Sequence, residues 1–173
     1  DAADTVTTQL CQSWIAAYPV LDAQLLLLDD SPVATKVEKL RAALPVATGE
    51  ILAFVDDDIL LRPEAIGQLV RHLEDGRAGA VFGLAVYTNW SNIPSSLLSA
   101  FVNANALLSY IPLTYLADPY TITGHLYALR REVFAAVGGL EGMGGRFDDD
   151  HELARRVQRF GLKNVQTPVI YDV

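Results

Sequence analysis

The run Glu50-Ile51-Leu52-Ala53-Phe54-Val55 passes in one step to Asp56-Asp57-Asp58. An apolar run of about 4–8 residues suits a strand covered by other elements and is too short for a buried helix. The three carboxylates cannot follow it into a core, because an unpaired buried charge is strongly penalised. The chain must therefore build a covered sheet in which this strand ends at the surface, and helices packed over strands meet that demand.

The flanking segments alternate in the same sense. Asp4 can cap a helix with Val6, Leu10, Trp14 and Ala17 at helical spacing before Tyr18-Pro19. Residues 23–28 read as a buried strand and residues 36–44 as a short helix. Pro63 opens a helix with Ile66, Leu69, Val70 and Leu73 on one face and Gly76 just beyond it. A strand over 79–87, a helix over 95–110 and an extended stretch over 120–129 follow. A helix over 132–137 stops at Gly138-Gly139. Asp149 or Asp150 caps a last helix with Leu153 and Val157, Gly161 closes it, and 165–171 reads as a strand. This alternation, without repeats, predicts an α/β fold: a three-layer α/β/α sandwich on a mostly parallel mixed sheet. Ligands of such sheets meet the loops at the carboxyl ends of strands, where Asp56, Asp57 and Asp58 fall.

Composition removes several function classes. A length of 173 residues with 51% hydrophobic side chains supports one ordinary domain with a core. A formal charge of −8 disfavours nucleic acid as a partner. The single cysteine, Cys11, makes no internal disulfide or thiolate cage and is read as a buried small apolar residue. The opening at Asp1 shows no leader of basic then apolar residues. Glycine-rich phosphate-loop and dinucleotide fingerprints are missing, which removes P-loop kinases and dinucleotide oxidoreductases.

Residues 78–117 contain no Asp, Glu, Lys or Arg. Leu97, Leu98, Phe101, Val102, Leu107 and Leu108 cover more of a helix than one core stripe needs. Asn103, Asn105 and Pro112 argue against a membrane span, so a helix lying on a membrane surface or facing a lipid is expected; the competing reading is a core helix.

Asp56 and Asp58, two apart, continue the strand alternation and point to the same side. They can share a hard divalent ion that also holds a diphosphate, and Mg2+ or Mn2+ suits oxygen ligands. The structural alternative is a solvated acidic turn before the Pro63 helix. The second cluster, Asp148-Asp149-Asp150, follows a glycine-rich segment and opens a helix, where each acid is worth about 0.3–1 kcal/mol through capping and the dipole. Taken with the first cluster, it offers a metal site and a separate general base. Lys36 and Arg130-Arg131 are the cations read as meeting anionic ligands, against the alternative of exposed surface charge. His125, without a second His or Cys nearby, is read as a satisfied polar residue and not as a ligand.

The ordered set is Asp4, Lys36-Val37 with Leu40, Phe54-Val55-Asp56-Asp57-Asp58 with Pro63, Thr123-Gly124 with Arg130-Arg131, Gly138-Gly139, and Asp149-Asp150 before a helix. It resembles the family 2 and related inverting glycosyltransferases of the GT-A fold, most of all the ceramide glucosyltransferase branch, over almost the whole chain. The resemblance implies that Asp4 contacts the nucleotide base and that Lys36 belongs to the nucleotide-side loop. It implies that Asp56, Asp57 and Asp58 form the diphosphate and metal site, with Asp56 and Asp58 as metal ligands. Thr123-Gly124 lies beside donor and acceptor, and Asp150 resembles the base, with its neighbour Asp149 the competing candidate. The same family pattern has a strand before Asp4, a Gln/Arg-x-x-Arg-Trp motif after the last strand and flanking membrane helices. None has a counterpart within 1–173, so a single catalytic domain truncated at both ends is expected.

The activity so implied is transfer of a hexose from a nucleotide sugar, UDP-glucose in character, to a hydroxyl of a lipid such as ceramide, or of a saccharide. A single displacement would invert the anomeric carbon, with Mg2+ or Mn2+ as cofactor. The expected setting is membrane-associated, with the domain on the cytoplasmic side. Two alternatives stand beside it: a non-catalytic sugar-nucleotide-binding fragment, and a nucleotidyltransferase, although the glycine-rich basic loop of the latter is missing near the start.

Overall fold

The computed structural model describes residues 5–28, 35–144 and 149–173. By their contacts they fall into two compact units, one within Asp1–Thr48 and Gly142–Gly145, the other within Gly49–Glu141 and Arg146–Val173.

In the first unit, helix α1 (Thr5–Ala17) forms as its spacing predicts, while its expected cap, Asp4, lies outside the described residues. Val6, Leu10 and Trp14 are exposed, and the Trp14 and Tyr18 rings meet at 5.2 Å. Cys11 is half-buried, not buried, because it sits beside these exposed positions on a helix without a buried residue. The expected strand at 23–28 is corrected: 22–28 belong to no strand, since apolarity does not supply the partner backbone that a ladder needs. Helix α2 (Lys36–Ala43) opens on a capping box. The Thr35 hydroxyl accepts from the Glu38 N–H at 3.3 Å, and Glu38 Oε2 accepts from the Thr35 N–H at 2.8 Å.

The second unit holds a four-stranded sheet in the order β1-β3-β2-β4, from β1 (Ile51–Val55), β2 (Ala78–Val86), β3 (Leu126–Arg130) and β4 (Lys163–Asp172). β2 and β4 are parallel, and β3 runs antiparallel to β1 and β2. Three strands therefore share one direction and β3 opposes them, which makes the mixed sheet expected. The extended stretch predicted over 120–129 contributes only its end to the ladder. Before Leu126 the chain turns, and the Thr123 hydroxyl donates to the Gly83 carbonyl at 2.8 Å.

Helices cover both faces. Helix α3 (Ala65–Arg71), continued by a tighter turn at His72–Glu74, packs Ala65, Leu69 and Leu73 against Ala78, Val81, Ala85, Leu126 and Ala128. On the other face lie α6 (Arg131–Ala136) and α7 (Asp149–Arg159). Phe54 stacks on Tyr127 at 4.7 Å and meets Phe134 at 5.7 Å, and such pairs add about 0.5–1.5 kcal/mol beyond the area they bury. Gly79 is required here: a Cβ at this position would lie 2.5 Å from Val157 Cγ1. The backbone turns out of α6 at Gly138 and Gly139, with φ of 84° and 50°. Arg156 then donates to the Gly139 and Glu141 carbonyls at 3.3 and 2.8 Å.

Between β2 and β3 runs one long helix in three parts: α4 (Ile93–Asn105), a π-helical turn (Ala106–Tyr110) and α5 (Ile111–Thr114). Asn92 caps it, accepting from the Ser95 N–H at 2.9 Å. Its inward stripe is small and polar. Ser99 is buried and donates to the Asn89 carbonyl at 2.8 Å, and the Asn103 amide exchanges two 2.9 Å bonds with the backbone of Tyr87. Its outward face is apolar, with Leu97 66%, Phe101 74% and Leu108 78% exposed. Among the described residues these side chains are therefore not part of the core.

Candidate functional site

The carboxyl ends of β1, β2 and β4 lie at the same sheet edge as the start of β3, because β3 runs against them. The register pairs Val55 with Leu126, and the next bond is from the Asp56 N–H to the His125 carbonyl at 2.9 Å. Two residues 69 apart in sequence are thus fixed side by side on the sheet. One donor atom each from Asp56, Asp58 and His125 lies within 4.8 Å of the others. The expectation that Asp56 and Asp58 face the same side agrees with this cluster, while Asp57 is exposed between them.

Two carboxylates and an imidazole form a donor set that fits a divalent ion. A second observation supports the fit: His125 Nδ1 is buried and has no hydrogen-bond partner. A buried polar atom left unsatisfied costs about 1–3 kcal/mol, a penalty that a bound group can remove. The reading of His125 as a satisfied polar residue is therefore corrected. The side chain stands beside the Asp pair because of strand register, which no local pattern around Thr123-Gly124-His125 announces.

Asp150 enters the same neighbourhood from the first turn of α7, half-buried, with Asp149 beside it; Asp148 lies outside the described residues. The Asp150 Oδ1 accepts from the His151 N–H at 2.7 Å. Its Oδ2 would be 3.1 Å from a Cβ added at Gly124, so the glycine lets the loop backbone close on the carboxylate. Thr123 is held in place from two sides, donating to Gly83 O at 2.8 Å and accepting from the Tyr171 hydroxyl at 3.3 Å. A cavity of about 290 Å³ opens here, lined by Tyr87, Asn105, Tyr110, Gly124, His125 and Asp150 among others. Tyr110 belongs to the π-helical turn, and such turns recur at functional sites.

The electrostatics report the same convergence. Burial pushes the Tyr171 hydroxyl up to about 12, with Tyr87, Asp56 and Asp58 adding to the rise and the bond to Thr123 opposing it. Burial raises Tyr127 further, and Asp149, Asp150 and Asp56 all add to it. Both acidic clusters thus act on one buried tyrosine, although they lie almost a hundred residues apart in sequence.

The other expected positions fall elsewhere. Lys36 is exposed at the first position of α2, in the first unit, and Asp4 lies outside the described residues. The reading of Arg130 and Arg131 as ligand-facing cations is corrected. They sit at the opposite end of β3, where Arg130 donates to the Leu73 carbonyl and Arg131 donates to the Gly49 carbonyl at 2.7 Å. Their guanidiniums are thus taken up by backbone carbonyls at that end of the strand.

Comparison with known proteins adds the following. The model of the family described as Glycosyl transferase family 21 matches residues 1–169. Among curated proteins no match is found. Among solved structures, the chain is similar to the mannosyltransferase PcManGT from Pyrobaculum calidifontis, solved in complex with GDP-Man and Mn2+. The identity is 24% and the TM-score 0.69, covering 100% of this chain and 46% of that one. It also matches glucosyl-3-phosphoglycerate synthase from Mycobacterium tuberculosis, solved with phosphoglyceric acid. There the identity is 19% and the TM-score 0.44, over 90% of this chain and 49% of that one. The chain thus spans about half the length of these structures. The likeness to the mannosyltransferase shows the fold, a GT-A-type α/β/α sandwich.

Proposed function

The chain belongs to glycosyl transferase family 21, and from that premise we propose that it moves a hexose from a nucleotide sugar, UDP-glucose in character, to a hydroxyl of a lipid acceptor such as ceramide, with inversion. The observation that carries this reading is the meeting of the two acidic clusters. Asp56 and Asp58 stand at the end of β1, and Asp150 reaches the same sheet edge with the Gly124 backbone against its Oδ2.

The residues divide the work by position. Asp150 is the general base: its Oδ1 is held by the His151 N–H, and its other oxygen is turned toward the Thr123-Gly124 loop. The acceptor hydroxyl gives its proton to Asp150 as its oxygen attacks the anomeric carbon, and the bond from that carbon to the diphosphate breaks. Attack from the face opposite the leaving group inverts the centre. Asp56 and Asp58 would hold the divalent ion, which when bound supplies positive charge to the departing diphosphate. Asp57, Lys36 and Asp4 are assigned to the nucleotide side, and Thr123-Gly124 to the boundary between donor and acceptor.

The lipid acceptor is favoured by the long helix that borders the cavity. Residues Ile93–Thr114 are long and apolar enough to cross a membrane, and only 11% of the most apolar stretch is buried. Small polar residues face inward and leucines outward, which inverts the pattern of a helix packed on a soluble domain. With Asn103 and Ser99 tied to the domain's own backbone, the helix is held against the sheet unit, so we place its apolar face on a membrane surface. Phe101 belongs both to that face and to the cavity lining.

The test is transfer from radiolabelled UDP-glucose to ceramide in vesicles, by the full-length protein. The expected product is a β-linked glucosylceramide from the α-linked donor, and an α-linked product would overturn inversion. Flotation of residues 1–173 alone with the same vesicles should recover the protein, and Leu97→Ser/Phe101→Ser/Leu108→Ser should abolish that recovery. Equal flotation by this variant would remove the helix from the membrane reading.

A further inference from the structure

We infer that His125 is a third protein ligand of the divalent ion held by Asp56 and Asp58, and that its nitrogen makes the site favour Mn2+ and Co2+ over Mg2+. The inference rests on the metal reading above and adds to it one ligand and a preference between ions.

Three observations carry it. A ring nitrogen of His125 and one oxygen from each carboxylate lie within 4.8 Å of one another, close enough for a single ion to touch all three after small side-chain adjustment. The cluster stands on rigid elements: the Asp56 N–H to His125 carbonyl bond extends the β1–β3 ladder, so both backbones are fixed before any ion arrives. The ring itself is not anchored by the protein at Nδ1, which is buried without a partner. A histidine kept for packing alone would place that nitrogen on a carbonyl or hydroxyl; the Tyr171 ring lies 6.0 Å from the imidazole, and its hydroxyl is turned to Thr123.

The preference follows from the donor atoms. Mg2+ favours oxygen ligands in a near-ideal octahedron and gives up its waters reluctantly. Imidazole nitrogen gains affinity along the first transition row from Mn2+ toward Co2+ and Ni2+. A site made of Asp56 and Asp58 alone would accept Mg2+ readily, and replacing one oxygen donor by His125 tilts it toward the transition ions. Sequence pattern cannot reveal this, since His125 and Asp56 are brought together by the reversal of β3.

The experiment is pulsed electron paramagnetic resonance of Mn2+ bound to the chain in the presence of UDP, read together with calorimetry of Mn2+ and Mg2+. The wild-type spectrum should show the 14N modulation of a coordinated imidazole, a readout that needs no variant and no turnover. The modulation should persist in His72→Gln and His151→Gln and vanish in His125→Gln. The last variant should bind Mn2+ about 10–100-fold more weakly while Mg2+ affinity changes much less, so that the ratio of the two affinities falls. Thermal melts of each variant confirm a folded protein. Mn2+ bound with Asp58-dependent affinity but without 14N modulation overturns the role of His125 and leaves the carboxylate site standing. Modulation that survives His125→Gln overturns it as well. Mn2+ affinity unchanged in Asp58→Ala, or no Mn2+ binding at all, overturns the carboxylate site and this inference together.

Discussion

The two ends of β3 carry charged or polar residues around the same short apolar strand, and the fold uses them in opposite ways. At its carboxyl end Arg130 and Arg131 donate to the carbonyls of Leu73 and Gly49, so their guanidiniums act as braces for neighbouring backbone. At its amino end Thr123, Gly124 and His125 meet Asp56, Asp58 and Asp150, and negative charge accumulates where burial already raises the proton affinity of Tyr127 and Tyr171. A fold gains little from gathering like charges at one edge, which is why that end reads as the functional one and the other as structural.

Breaking the functional end should cost most. Asp150→Asn is expected to reduce transfer by about 10²–10⁴-fold, the range for losing a general base, while donor affinity stays within a few-fold. Asp149→Asn should leave most of the activity. If the two outcomes are exchanged, the base moves by one residue, and if both variants stay active the base lies elsewhere. The readout is single-turnover transfer beside calorimetric UDP binding, which separates chemistry from donor binding.

Breaking the structural end should move stability and spare the chemistry. Arg130→Met removes a charged donor from the partly buried Leu73 carbonyl, and is expected to lower unfolding free energy by about 1–3 kcal/mol in urea titrations. UDP affinity in the folded variant should stay within twofold of wild type. A large loss of UDP affinity without a loss of stability would return Arg130 to the ligand-facing role that sequence pattern suggested for it.

That error shows where sequence reading stops. The strand at 51–55, the acidic exit at Asp56, the acidic first turn of α7 and the glycine that follows the helix, and the excess of leucine on α4 are local facts, set by neighbours within one turn or one strand. They could be read directly. Asp149 and Asp150, expected as caps, are the first two residues of the helix itself. The partners of Arg130, the adjacency of His125 to Asp56 and the inward turn of Ser99 and Asn103 depend on segments tens of residues away. The same holds for residues 23–28: their apolarity resembles that of β1, but a strand also requires a partner backbone, and among the described residues none pairs with them. The excess of apolar residues on α4 was legible. Which side of the helix faces out follows only from the two polar tethers.

The smallest expected effect sharpens the comparison from inside the core. Tyr171 joins the functional end to the sheet, its ring buried and its hydroxyl donating to Thr123, which itself still donates to Gly83. Tyr171→Phe leaves no buried donor without a partner, so at neutral pH it should cost about 0.5–1.5 kcal/mol, with the 3.3 Å length favouring the lower end. The pH response should differ in sign. The folded hydroxyl is pushed up to about 12 from an ordinary value of 10.0, so the native state keeps its proton where the unfolded chain releases it. The stability that Tyr171 contributes is therefore fully present below 10.0 and is lost as pH rises toward 12, by about 1.4 kcal/mol for each pH unit in that window. Phenylalanine has no proton to lose, so its contribution stays flat and the two proteins should cross between about pH 10 and 11, nearer the lower value. Urea titrations of both proteins at neutral pH and on either side of that interval measure the crossing. Parallel curves would mean that the hydroxyl ionises as freely in the fold as in the open chain, and that burial, the main cause of its raised proton affinity, is not felt there.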